Sequence, residues 1–304
     1  MSPPLPTSDL LDCPCRRTPF PVQRFLSEKN KMTRPEVLAE LSPQEHTREL
    51  DLEEARGIQE LMLPGEPLQT GQVTITHAFQ PAAEVGGDFL DYFPLTDGTV
   101  GVYLGDVCGK GLPAALYAAL AVGTLRGVHK TGQSPAQVIN MLNRRLTIRG
   151  NPRRYAAMQY AVCDPQTGCM QIASAGMSGP IHISRSGCTA LQLSGIPPGM
   201  LAQATYDSYY LQLAPGDSVL FFSDGLFEAV NSVDESFGVE RLVEVCNRLR
   251  AMTSSEFLAR LFTAVRDFAH GFEQQDDMAA AIFHFAGPAT QSHPQLLFGC
   301  QSAM

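Results

Sequence analysis

Aspartates set beside glycines, at the ends of apolar runs, are the residues of this chain best suited to chemistry. Four such motifs occur: Glu84-Val-Gly-Gly-Asp88, Gly105-Asp106-Val107-Cys-Gly-Lys-Gly111, Ser223-Asp224-Gly225 and Asp276-Asp277. In the middle two, the Asp directly follows a run of β-type apolar residues, which places it where a strand reaches the end of a sheet. A carboxylate held alone at such a place is costly to desolvate. Two readings are open for each motif. Either the Asp caps its own turn, as Asp-Gly pairs commonly do, or several of them converge on a cation that compensates their charge. Ligands that are all oxygen, with no His or Cys at ligand spacing, favour Mg2+ or Mn2+ over zinc. The four motifs together are far more specific than any one of them.

The glycines around these aspartates invite other readings. Gly86 and Gly87 allow close approach of the backbone before Asp88. The Gly109-Lys110-Gly111 loop opens a helical segment, whose N-terminus is a natural anion site. Gly109–Ala114 matches the G-x-G-x-x-A pattern of dinucleotide sites, but the acid expected about 20 residues further on is missing. No Asp or Glu occurs between Val107 and Cys163. Gly111 stands where a Walker loop needs Ser or Thr after its Lys, so that nucleotide loop is excluded as well.

The elements that must carry these motifs follow from pattern and punctuation. Eight prolines between Pro3 and Pro43 break residues 1–44, which are expected to form a disordered extension. Met32 would begin a shorter chain that keeps every motif. Ser42 and Glu45 form a capping-box signature. Leu52, Ala55, Ile58 and Met62 then line one stripe of an amphipathic linker helix over 45–65, closed near Pro64-Gly65. A domain over 66–286 is expected next. It opens with strand-like Val73–His77, Asp88–Pro94 and Thr99–Leu104, the last two joined by a Thr96-Asp97-Gly98 turn. Two helices, Leu112–His129 and Pro135–Ile148, precede a series of short strands from Tyr155 to Phe222. Helices Val239–Met252 and Ser254–Phe268 and a strand Asp277–Phe285 complete it, and 287–304 reads as a loose tail. This order is not the alternation of a parallel α/β sheet. It is an α+β pattern of packed antiparallel sheets covered by helix pairs.

Charge narrows the partners. The net charge of −9 argues against nucleic-acid and anionic-membrane binding. The stretch Val107–Cys163 runs against it, carrying Lys110, Arg126, Lys130, Arg144, Arg145, Arg149, Arg153 and Arg154 with no acid. It is either a solvated face or a docking surface for an acidic or phosphorylated partner. Scattered cysteines without a C-x-x-C pair, no secretory signal and no span-length apolar run make a cytoplasmic protein the expectation.

From about Ala55 to Phe285 the chain resembles the bacterial SpoIIE/RsbU-like branch of the metal-dependent protein phosphatases (PPM), relatives of protein phosphatase 2C. The matching pieces run in family order. They are Ile58-Gln59, Leu63-Pro64, Pro81-Ala82, Glu84–Phe89 with Asp91, Gly105–Ala115, Asn143, Ala175-Gly176, Pro215-Gly-Asp217, Ser223-Asp-Gly225 with Glu228-Ala229, Phe237-Gly238 and Asp276-Asp277. The resemblance implies an αββα sandwich of two antiparallel sheets flanked by helix pairs. It implies phosphoserine/phosphothreonine phosphatase activity with two Mn2+ or Mg2+ ions. Asp106 would bridge the ions, the Val107 carbonyl would bind one, and Asp224 and Asp276 the other. Asp88 would bind a metal or its waters, and Asp277 would orient Asp276 or a water. A water activated between two cations needs no covalent phosphoenzyme. Consistent with this, no cysteine here has an Arg six positions on, as cysteine-based phosphatases require. The implied substrate is a phosphorylated regulatory protein, an anti-sigma-factor antagonist of the STAS type. The 45–65 helix resembles a regulatory switch helix and is a candidate homodimer contact. The match departs at Met177, where the family has His, and at Ala279, where it has Thr. These two positions motivate the competing expectation of a weak or inactive phosphatase fold that binds partners without hydrolysis.

Overall fold

The computed structural model describes residues 42–128, 133–148 and 154–287. They fall into two units, the first ending at Ile58 and the second beginning at Gln59. The expected extension and tail lie outside the described residues, apart from 42–44 and Gly287.

Helix α1 (Pro43–Glu60) starts on the box its sequence announces. The Ser42 amide donates to Glu45 Oε2 at 2.9 Å, and the Glu45 amide to Ser42 Oγ at 3.3 Å. The buried phase of the helix differs from the expected stripe. Leu52, Ala55 and Met62 are partly covered, but Ile58 is exposed and Gln59 is buried. A polar side chain took the position that helical periodicity reserves for an apolar one because it has backbone partners there, described below.

Eleven strands follow, in two antiparallel sheets. They are β1 (Leu68–Gln69), β2 (Val73–Gln80), β3 (Phe89–Pro94), β4 (Val100–Val107), β5 (Ala156–Asp164), β6 (Cys169–Ala175), β7 (Ile181–Ser184), β8 (Gly187–Ala190), β9 (Tyr209–Gln212), β10 (Ser218–Phe222) and β11 (Met278–Phe285). One sheet has the order β1-β2-β11-β10-β7-β8 and the other β3-β4-β5-β6-β9. Helices α2 (Leu112–Val128) and α3 (Pro135–Ile148) form one pair, and α4 (Val239–Leu249) and α5 (Ser254–Ala269) the other.

Period-2 alternation explains the layering. Along β11, Ala279, Ala281, Phe283 and Phe285 pack between the sheets with Val219 and Phe221 of β10 and Val102 and Leu104 of β4. The intervening Met278, Ala280 and Ile282 face α4 and α5, meeting Leu242, Phe257, Leu261 and Val265. On the other outer face, Tyr103, Met158 and Tyr160 meet α2 and α3 through Ala118, Leu125 and Leu142. Three apolar layers between four structural layers make an αββα sandwich, the expected architecture. Strands covered on both faces lose their polar alternation, so β10 and β11 read as nearly continuous apolar runs. Among the described residues no helix is long and apolar enough to cross a membrane.

Strand direction places the aspartates. β3 begins opposite the end of β4, with Phe89 paired to Gly105. β10 ends opposite the start of β11, with Phe222 paired to Ala280. Asp106 is the penultimate residue of β4, and Asp88, Asp224 and the Asp276-Asp277 pair lie just outside the ends of the other strands.

Candidate active site

Asp277 is the residue on which the site is assembled. Its Oδ1 accepts the Ala82 amide at 2.8 Å, and its Oδ2 accepts the amides of Gly87 at 2.8 Å and Asp88 at 3.4 Å. The loop before β3 is therefore folded around a carboxylate that precedes β11, in the other sheet. Gly86 and Gly87 are glycines for that reason. A Cβ on Gly86 would lie 1.7 Å from Asp277 Oδ2, and one on Gly87 2.8 Å from the Val107 carbonyl oxygen and 3.1 Å from Asp106 Oδ1. The same contacts put the Val107 carbonyl and the Asp106 carboxylate against the Gly86–Asp88 segment.

The loop is gripped from its other side by Gln59. The Gln59 amide nitrogen donates to the Gly86 carbonyl at 2.9 Å, and the Gly86 amide donates back to Gln59 Oε1 at 3.0 Å. Both backbone polar groups of the buried Gly86 are satisfied by one side chain, which is why Gln59 is buried. In the sequence Gln59 carries only the resemblance of Ile58-Gln59 and no role, because apolar periodicity does not register a side chain buried by hydrogen bonds. Ser223, fully buried, accepts the Ala279 amide at 2.9 Å and so ties the residue before Asp224 to β11.

The carboxylates crowd one another. Burial and the neighbouring Asp106 and Asp277 hold the Asp88 carboxyl far above the usual carboxylate range. Burial, then Asp224 and Asp276, do the same to Asp106. Asp224 is pushed up to about 6 by burial and by Asp276, with Lys110 pulling the other way. Asp88 is 2% exposed, and its Oδ2 has no hydrogen-bond partner. An orphaned buried oxygen beside several like charges fits a hard cation. Among the described residues no three His, Cys, Asp or Glu side chains are close enough together to form a ready-made ion cage. The candidates for holding such ions are Asp88, Asp106, the Val107 carbonyl, Asp224 and Asp276. Asp277 directs both oxygens to backbone amides and acts on the loop.

The two departures from the family pattern turn away from this cluster. Met177 packs against the core between the sheets, as does Ala279, which is fully buried. The basic stretch is not one uniform surface. Arg126 Nε binds Asp91 Oδ2 at 2.8 Å and its Nη2 the Met62 carbonyl at 2.7 Å. Lys110 pairs with Asp276, and Arg154 donates to the Cys108 carbonyl. Arg144 and Arg145 are exposed on α3, while Lys130, Arg149 and Arg153 lie outside the described residues.

Residues 96–286, more than half the chain, match the family described as stage II sporulation protein E (SpoIIE). Asp106, Asp224, Asp276 and Asp277 fall within the match, and Gln59 and Asp88 precede it. Protein IcfG of Synechocystis sp. is 30% identical over 224 residues, covering 64% of this chain and 35% of that protein. Phosphoserine phosphatase RsbU of Bacillus subtilis is 26% identical over 211 residues, covering 67% of this chain and 63% of that protein. The chain thus spans less than two thirds of either relative. The solved SiaA-PP2C domain of Pseudomonas aeruginosa superposes with a TM-score of 0.72 at 18% identity, covering 81% of this chain and 100% of that one. That likeness establishes the fold.

Two outcomes are expected from this geometry. Gln59→Ala leaves the Gly86 amide and carbonyl buried without partners, a loss of about 1–3 kcal/mol. Thermal denaturation with and without Mn2+ should show lowered stability and a smaller metal-induced shift; an unchanged shift would separate Gln59 from the site. The second concerns pH. Asp88, Asp106 and Asp224 have folded pKa values raised above the unfolded value, so their protonated forms favour the fold. That stability is complete below the ordinary Asp value and is lost as pH rises from there through the folded values, the loss for Asp224 being complete just above about 6. Chelator-treated protein should therefore be less stable at pH 7.5 than at pH 5.5. Saturating Mn2+ at pH 7.5 should raise Tm by roughly 5–10 °C, the effect of a ligand at about 100 Kd. A flat pH profile with no metal effect would contradict the crowded-carboxylate description.

Proposed function

The chain belongs to the SpoIIE family of PPM-type phosphatases, and from that premise we propose that it hydrolyses phosphoserine or phosphothreonine on a regulatory protein with two Mn2+ or Mg2+ ions. The observation that carries this reading is an orphaned, buried Asp88 oxygen in a cluster where Asp106 and Asp224 act on Asp88, and Asp224 and Asp276 act on Asp106. The ions, when bound, supply a nucleophilic water at neutral pH and neutralise the phosphoryl oxygens. Everything else falls to the chain. Asp106 raises Asp88 and is itself raised by Asp224 and Asp276, so it is the carboxylate that both ions would share. The Val107 carbonyl is the neutral oxygen beside it. Asp277 and Gln59 fix the loop that carries Asp88, so its carboxylate need not reorganise when the substrate arrives.

The name of the relative RsbU, a phosphoserine phosphatase, supports the substrate class. An acidic STAS-type antagonist is the partner this reading favours, with Arg144 and Arg145 on α3 as exposed cations that could meet it. Dimerisation through the helix over 45–65 belongs to the same reading. It is supported by Leu50 and Ile58 of α1, which are 51% and 58% exposed. A cytoplasmic location follows from such a substrate.

Release of phosphate from a phosphoserine peptide with Mn2+ tests the activity. Asp106→Asn and Asp224→Asn should each lower turnover by roughly 10^3-fold, since charge stabilisation by a bound metal is worth several kcal/mol, with circular dichroism unchanged. Wild-type turnover in either variant would refute the assignment. Absence of both turnover and calorimetric metal binding in the unmutated chain would leave the binding-module reading instead.

A further inference from the structure

Lys110 is the one ammonium that the structure sets into this acidic cluster among the described residues. Its Nζ lies 3.1 Å from Asp276 Oδ2, and it donates to the Gln275 carbonyl. Its charge is felt at Asp224 as well. The lysine side chain is 61% exposed and the Asp276 side chain 37%, so the pair stands at the mouth of the cluster, while Asp88 lies at its floor. The backbone around the lysine is tightly turned, with φ of 101° at Gly109 and 67° at Gly111. The turn delivers the ammonium to the aspartate from a loop far away in sequence.

Asp276 Oδ1 already accepts the Asp277 amide at 3.0 Å, which leaves Oδ2 as the oxygen for a divalent ion. An ammonium and a metal ion would then meet on that oxygen, and each would repel the other. A half-exposed ion pair is weak enough to be exchanged. The released side chain would then be a flexible cation with three donors, beside the place where a dianionic phosphoryl group must come.

We propose that Lys110 is an exchange cation: it neutralises Asp276 while no divalent ion is held there, and it binds the phosphoryl oxygens of the substrate once the ion has taken Asp276. The proposal rests on the phosphatase reading given above. The step makes and breaks no covalent bond and transfers no proton. It gives the exposed lysine two partners at different stages, and it makes metal loading and substrate affinity respond to the same residue in opposite directions.

Lys110→Gln and Lys110→Arg, compared with the unmutated chain, test it. Two quantities are measured: the Mn2+ dissociation constant by calorimetry, and the inhibition constant of inorganic phosphate against p-nitrophenyl phosphate hydrolysis at saturating Mn2+. In Lys110→Gln, Mn2+ should bind about two- to fivefold more tightly, the worth of a partly exposed ion pair. Phosphate should inhibit about tenfold more weakly, the worth of a charge-assisted hydrogen bond, with KM rising more than kcat falls. Lys110→Arg keeps the charge and should return both constants towards the unmutated values. If the lysine merely holds Asp276 in place, Lys110→Gln will bind Mn2+ more weakly, which overturns the proposal; so does an unchanged phosphate constant. If the unmutated chain neither binds Mn2+ nor hydrolyses the ester, the phosphatase reading fails, and this proposal with it.

Discussion

The fold of the active end depends on one buried anion, the Asp277 carboxylate, accepting backbone amides from a loop of the opposite sheet. Sheets packed face to face are held by apolar contact, which is strong but indifferent to small sliding movements. Hydrogen bonds at 2.8 Å to Ala82 and Gly87 are not indifferent. They fix the start of β3 against the start of β11, and with it the separation of Asp88 from Asp276. Gly86 and Gly87 are consequences of the same contact, because the backbone must come closer to Asp277 and Asp106 than a side chain permits.

A second constraint acts against the first. Gathering carboxylates at the mouth of a sandwich raises their proton affinity, and the chain accepts this in Asp88, Asp106 and Asp224. Such a cluster is unfavourable to folding unless protons, an ammonium or metal ions compensate it. The structure contains the ammonium, at Lys110, and places it at the exposed rim, where an ion pair is cheap to break. Burial raises Asp277 too, but three backbone amides partly offset it, so it can serve as a fixed point.

The architecture was legible because composition and punctuation agree. Runs of strands separated by helix pairs excluded a parallel sheet, and the turn at Thr96-Asp97-Gly98 closes the β3–β4 hairpin as expected, with Gly98 at φ 86°. Each aspartate motif taken alone was equally a turn; the four together, with no His or Cys at ligand spacing, pointed to a grouping, and the resemblance supplied the role of each. What escaped were relations between distant residues. Lys110 meets Asp276 from a loop with no local reason to point there, and a basic run in sequence divides between Asp91, Asp276 and the Cys108 carbonyl in space. The phase of α1 was misjudged at Ile58 because periodicity counts apolar residues. Gln59 earned burial by hydrogen bonding, which periodicity does not see. The two-residue β1 is too short to carry any pattern.

The departures at Met177 and Ala279 bear on activity through packing. Met177 lies against the core between the sheets, and Ala279 is fully buried there while its amide bonds to Ser223 Oγ. Ala279 brings no second hydroxyl, so this side-chain bond is made by Ser223 alone, beside the Ser223 amide's own bond to the Ala279 carbonyl at 2.9 Å. The hydroxyl also faces Asp88. Met177 and Ala279 pack in the apolar layer between the sheets, and neither position supplies one of the carboxylates of the cluster.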